Sequence, residues 1–250
     1  MLTRASIRAQ RGLSLIELMV GITVGLIVTA GAAMVAVSQI NEHRRLTLET
    51  QIQQDLRVAA DLIQQDLRRA GFRGNAERGV WAPASNVGSL QETAVADSTP
   101  NAYRQLQVSD GAIDRVIAYA YAKTQPDGSF NTGASPLSNE NFGVQWRKDK
   151  MELRLQLGYQ ADGSPNWQPI TDPATIEIIN FDVESLAQPD ISLADFCDRS
   201  CVGLTTCPTL QVREIRFTIR GQAVHDRNVV RTLTGTERVR ADKIDGACPT

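Results

Sequence analysis

Glu17 is the only charged residue between Leu13 and Asn41. A charge at the centre of a membrane helix costs about 2.5–3.5 kcal/mol, less near the interface, so such a group has a designated partner. The chemistry it points to is charge pairing. The second set of reactive residues is Cys197, Cys201, Cys207 and Cys248, all in the last 54 residues. An even number of cysteines in a chain delivered to an oxidising compartment favours disulfides. Four cysteines allow three pairings; the preferred arrangement closes a local loop within 197–207 and ties Cys248 to the cysteine left over. Zinc is a poor match, since C-x3-C followed by C-x5-C has no nearby histidine and His225 is isolated. Asp182, Glu184, Asp190, Asp195 and Asp198 form an acidic region without EF-hand spacing, read as a solvated loop before a calcium site. His43 stands beside Arg44 and Arg45 on a solvated helix face, and His225 lies in a polar turn. No nucleotide-binding, zinc-protease or nucleophile-elbow motif occurs, so neither catalytic residues nor a metal or other cofactor is expected.

These residues need elements to place them. The chain has 250 residues, 42% hydrophobic and 22% charged, enough for one substantial domain and an extra element. Its 26 basic against 28 acidic residues give a net charge of −2, which argues against a phosphate-tracking nucleic-acid surface. Leu18 to Val37 is apolar but for Thr23 and Thr29. Twenty helical residues span roughly 30 Å, the hydrocarbon thickness of a bilayer. Arg4, Arg8 and Arg11 precede this stretch, with no acidic residue among the first sixteen. The positive-inside rule keeps that end cytoplasmic and exports the rest. A membrane anchor and a secretory signal peptide both begin this way, and Gly31-Ala32-Ala33 offers a small-residue cut site. Gly21 and Gly25 make a G-x-x-x-G continued by Thr29 and Ala33, a stripe along which membrane helices can pack.

The string Arg11-Gly12-Leu13-Ser14-Leu15-Ile16-Glu17 resembles the processing site of type IV prepilins. The resemblance implies that a prepilin peptidase removes a leader, residues 1–12, by cutting after Gly12, and methylates Leu13. The family usually has Phe at that position. It also implies that the apolar helix is retained and that Glu17 is used in assembly.

Residues 42–71 continue as an amphipathic helix. Leu48, Ile52, Leu56, Ala59, Ile63, Leu67 and Ala70 recur at steps of three and four. Ile52-Gln53-Gln54-Asp55-Leu56-Arg57 returns eleven residues on as Ile63-Gln64-Gln65-Asp66-Leu67-Arg68. Eleven residues are almost a whole number of turns, so the stripe hardly drifts. Gly71 is placed to cap the end. The ending Gln65 to Gly74 is similar to that of PilW-type minor pilins, relatives of the J-type pseudopilins of type II secretion.

Residues 72–102 read as a surface loop and 103–250 as an antiparallel β domain. Strands are expected at Arg104–Val108 and Arg115–Ala122 around an Asp110-Gly111 turn, and at Gly143–Arg147 and Met151–Tyr159. In the last of these, Met151, Leu153, Leu155, Leu157 and Tyr159 should share the buried face. Ile176–Val183, Leu210–Arg220 and Val229–Arg240 complete the set, with a phase shift between Val212 and Ile215 that marks a bulge or a later start. The fold class is α+β and pilin-like, a long N-terminal helix whose amphipathic half packs on a mostly antiparallel sheet.

By resemblance the function is that of a minor pilin, a structural subunit needed for assembly of a type IV pilus and associated with a priming complex at its tip. The alternative is a J-type minor pseudopilin. The implied partners are other minor pilins, the major pilin, the inner-membrane assembly platform, the prepilin peptidase and a large tip adhesin. The implied location is the bacterial inner membrane, single-pass with the β domain in the periplasm, and then the pilus.

Overall fold

A helix of fifty-five residues, α1 (Leu15–Arg69), opens the structure. In this computed structural model the described residues are 14–74, 101–133, 135–197, 199–203, 207–245 and 248–249. The leader, the pair Gly12–Leu13 and most of the 72–102 segment lie outside them. The chain divides into two units, Met1–Thr47 and Leu48–Thr250, with α1 contributing to both.

Within the second unit α1 buries the stripe read from its spacing. Ile52, Leu56, Ala59, Ile63 and Leu67 are all buried, and the repeat brings Ile52 and Ile63 to the same side. Gly71 ends the helix with φ +82°. A Cβ there would lie 2.5 Å from that of Ala241, so left-handed backbone and close packing both require glycine. Two ion pairs fasten the outer side of the helix, Arg68 to Glu237 at 2.9 Å and Glu49 to Arg231.

Among the described residues eleven strands follow. The first five are β1 (Leu106–Asp110), β2 (Asp114–Ala120), β3 (Asn141–Arg147), β4 (Glu152–Tyr159) and β5 (Pro165–Pro169). They form one antiparallel meander in chain order. Then come β6 (Ile176–Ala187), β7 (Ile191–Ser192), β8 (Thr209–Gln211), β9 (Arg213–Ala223), β10 (Val230–Arg238) and β11 (Lys243–Asp245). These build two further antiparallel sheets, ordered β10-β9-β6 and β11-β8-β7. The architecture is α+β.

One core joins the helix to the two larger sheets, through Ile117, Val144, Leu153, Phe181, Phe217 and Ile219 among others. Polar links tie the sheets as well. The Trp146 indole donates to the Ile178 carbonyl at 2.9 Å, and the Arg115 guanidinium donates to Phe181 O and Asp182 Oδ1, both at 2.7 Å. Ile63 is fully buried where these surfaces meet the helix. Ile63→Ala is expected to lower stability by about 2–5 kcal/mol, lost transfer energy plus a cavity, read as a shift in denaturant midpoint at unchanged slope.

Two strand expectations need correction, and the two readings of the phase shift resolve to one. On β4 only Leu153 and Leu155 share the buried face, while Leu157 and Tyr159 are exposed and Gln156 and Gly158 are covered. The core ends at Leu155. Beyond it the opposite face is covered by the Ser138–Glu140 turn, whose Asn139 Cα would stand 2.9 Å from a Cβ at Gly158. Met151 belongs to the preceding turn, with φ +51°. The phase shift before Ile215 marks a later start, because Val212 lies between β8 and β9, which belong to different sheets.

Candidate functional site

At the start of α1, Ser14-Leu15-Ile16-Glu17 spells a capping box, with Ser14 at the N-cap and glutamate three residues on. The Glu17 carboxylate accepts a bond from the Ser14 backbone N–H at 3.4 Å. The spacing carries this signal, but Glu17 had stood out only as a charge in an apolar run. Glu17 also stands in the first turn of the helix, where an acidic side chain faces the positive end of the dipole.

The surface that follows is apolar on every side. Leu15, Ile27 and Met34 are each more than 70% exposed, and no large apolar side chain from Leu15 to Ile40 is buried. Residues in this part of α1 are numerous and apolar enough to cross a membrane. Its hydroxyls turn inward. Thr23 donates to the carbonyls of Met19 and Val20 at 3.0 and 2.9 Å, and Thr29 donates to those of Gly25 and Leu26. Such back-bonding leaves the side of the helix without polar groups seeking water, as hydrocarbon demands. Gly21 and Gly25 have open space where a Cβ would be. A face this apolar and uncovered needs lipid or other helices around it.

In the β domain the cysteines are joined as Cys197–Cys248 and Cys201–Cys207. Cys197 follows the short turn after β7 and Cys248 follows β11, so the first bond links the two outer strands of the smallest sheet. The acidic residues do not converge. Asp182 is paired to Arg115, Glu184 to Arg216 at 3.3 Å, and Asp190 accepts from Gln211, while Asp198 lies outside the described residues. Among the described residues no three His, Cys, Asp or Glu side chains are grouped to hold a metal. His43 and His225 are both exposed, on α1 and in the turn between β9 and β10.

One buried charged group escaped the reading of the sequence. Glu140 is fully enclosed, and its carboxylate accepts from Tyr103 Oη at 2.7 Å, Leu137 N at 2.8 Å, Asn131 Nδ2 and Lys123 N at 3.1 Å. Burial alone would raise its pKa. The bonds from Leu137, Tyr103, Lys123 and Asn131 outweigh burial and hold it below the ordinary carboxylate range. Its partners come from three separate segments, so nothing local in the sequence marks it. Asp66 on α1 shows the opposite balance. Burial raises its pKa despite bonds from the Tyr119 and Tyr121 hydroxyls at 3.1 and 3.3 Å. Glu140 ties together the segments around Tyr103, Lys123, Asn131 and Leu137, and Asp66 ties α1 to the end of β2, so the bonds each makes are structural.

Comparison with known families agrees with this geometry. Residues 7–33 match the family described as the prokaryotic N-terminal methylation motif, and residues 45–239 match the family described as prepilin peptidase-dependent protein B. No curated protein and no solved structure matches the chain. The first match takes in Arg8, Arg11, Glu17 and most of the apolar run, which supports membrane anchoring through a pilin-type helix. Both families are pilin-type and structural, and dependence on the peptidase makes a chain its substrate. With the longer match running from the middle of α1 to the end of β10, this type IV pilin-like chain belongs to the prepilin peptidase-dependent protein B family.

Proposed function

We propose that this protein is a minor pilin of the PilW type, matured by cleavage after Gly12 and methylation of Leu13, and built into a type IV pilus below its topmost subunit. The observation that carries the reading is the exposed apolar part of α1 with Glu17 as its single carboxylate. Cleavage would leave a positive amine on Leu13 next to that helix. In a staggered array the Glu17 carboxylate of one subunit can meet the amine of the subunit added before it, and each charge satisfies the other. A topmost subunit has nothing ahead of it and needs no such glutamate. The partners are then the upper minor pilin, the major pilin below, the inner-membrane platform, the prepilin peptidase and, at the tip, a large adhesin. Gly21 and Gly25 provide the close approach between neighbouring helices.

Glu17→Ala is expected to be cleaved normally yet to lose co-purification with its upper neighbour. If the pair offsets the ~2.5–3.5 kcal/mol of leaving the charge alone, incorporation falls on the order of 100-fold. Wild-type piliation by a matured Glu17→Ala protein would refute both the pairing and the placement. Loss of type II secretion with pili intact would assign the chain to the J-type pseudopilins instead.

A further inference from the structure

We infer that the native disulfides of this chain are reached through exchange, so that a protein dithiol isomerase is a required folding partner wherever the β domain is oxidised. The inference rests on the export reading given under the proposed function. Its ground is the nesting of the two bonds. Cys201–Cys207 closes a separation of 6 residues and lies wholly inside Cys197–Cys248, which closes 51.

A chain exported from its N-terminal helix onward presents Cys197 and Cys201 before Cys207, and Cys248 last. By loop-closure statistics, ends 51 residues apart meet roughly 25-fold less often than ends 6 apart. While Cys248 is absent, Cys197 can react only with Cys201 or Cys207. The structure holds Cys197 opposite Cys248 through β7 and β11, on either side of β8. That arrangement exists only after Lys243–Asp245 has paired with Thr209–Gln211. Oxidation in order of arrival therefore produces Cys197–Cys201, and later Cys207–Cys248, a fully oxidised and non-native chain.

The first bonds are made by a protein disulfide donor, which takes two electrons for each bond while two protons are released. Correction is redox-neutral. An isomerase thiolate attacks the Cys197 sulfur, forming a mixed disulfide and freeing Cys201. The Cys201 thiolate attacks Cys207, making Cys201–Cys207 and freeing Cys248. The Cys248 thiolate then attacks Cys197, making the native bond and returning the isomerase thiolate.

The test uses the full chain in the membranes of two strains with the same disulfide donor, one with and one without an isomerase. Free thiols are blocked by alkylation and the bonded peptides identified by mass. The native pair is expected to dominate with the isomerase and to fall severalfold without it, replaced by Cys197–Cys201 with Cys207–Cys248. The double variant Cys201→Ser, Cys207→Ser leaves Cys197 a single partner and should form Cys197–Cys248 equally in both strains. Equal native pairing of the unaltered chain in both strains would overturn the inference while leaving export intact. Four free thiols in both strains would overturn the export reading, and the inference with it.

Discussion

Replacing Glu140 with alanine is expected to remove at least about 3 kcal/mol of stability from the β domain, a large part of what holds a domain together. Five donors, from Tyr103, Asn131, Leu137, Lys123 and Gln125, lose their shared acceptor at a fully buried residue. Each unpaired buried donor costs about 1–3 kcal/mol, and only part of that is recovered by local rearrangement. Glu140→Gln keeps the shape but turns an amide nitrogen toward some of those donors, so its effect should be smaller. The pH dependence has a definite sign. The folded-state pKa of Glu140 lies below its unfolded value, so its contribution is complete above the ordinary carboxylate range. The contribution fades as pH falls through the lowered folded value. Urea unfolding at neutral and acid pH should show the unaltered protein converging on the Glu140→Gln protein at low pH. A constant gap between the two would contradict the assignment.

Breaking the long disulfide should be the other large perturbation. In the chain-entropy account, Cys197–Cys248, 51 residues apart, contributes about 4 kcal/mol, and Cys201–Cys207, 6 apart, about 2 kcal/mol. Cys248→Ser should therefore cost roughly twice what Cys207→Ser costs under oxidising conditions, and both differences should vanish under reduction. Cys248→Ser should also free β11, whose pairing partner is the three-residue β8, so protease cuts should concentrate near Lys243. Equal stability of the two serine variants would show that the nested bonds do not act through loop length.

What could be read beforehand was whatever leaves a period in the chain. The stripe from Ile52 to Ala70 was legible because one side of a regular helix is buried at constant spacing. The hairpin around Asp110-Gly111 was legible because a strand pattern on either side meets a turn signal. Short strands leave no such trace. β7 has two residues, β8 and β11 three each, and β5 is bounded by Pro165 and Pro169, which read as loop. On β4 alternation misled because its two faces are covered over different lengths, so Leu157 looks like core and Gln156 does not. The same limit applies to the sites. Glu17 announces itself by a charge in an apolar run, a local contrast. Glu140 looks like any loop glutamate until Tyr103 and Asn131 are brought to it through the fold.

On the proposed function the apolar start of α1 is kept as a filament helix after a cut on its cytoplasmic side. The most direct measurement is the N-terminus of the membrane-extracted protein, by intact mass and fragment sequencing, from cells with and without an active prepilin peptidase. The expected chain begins at methylated Leu13 and retains Glu17 when the peptidase is active, and keeps residues 1–12 when it is not. A chain that begins near Ala33, with the apolar segment lost, would contradict the proposed function, as would one left uncut in both strains.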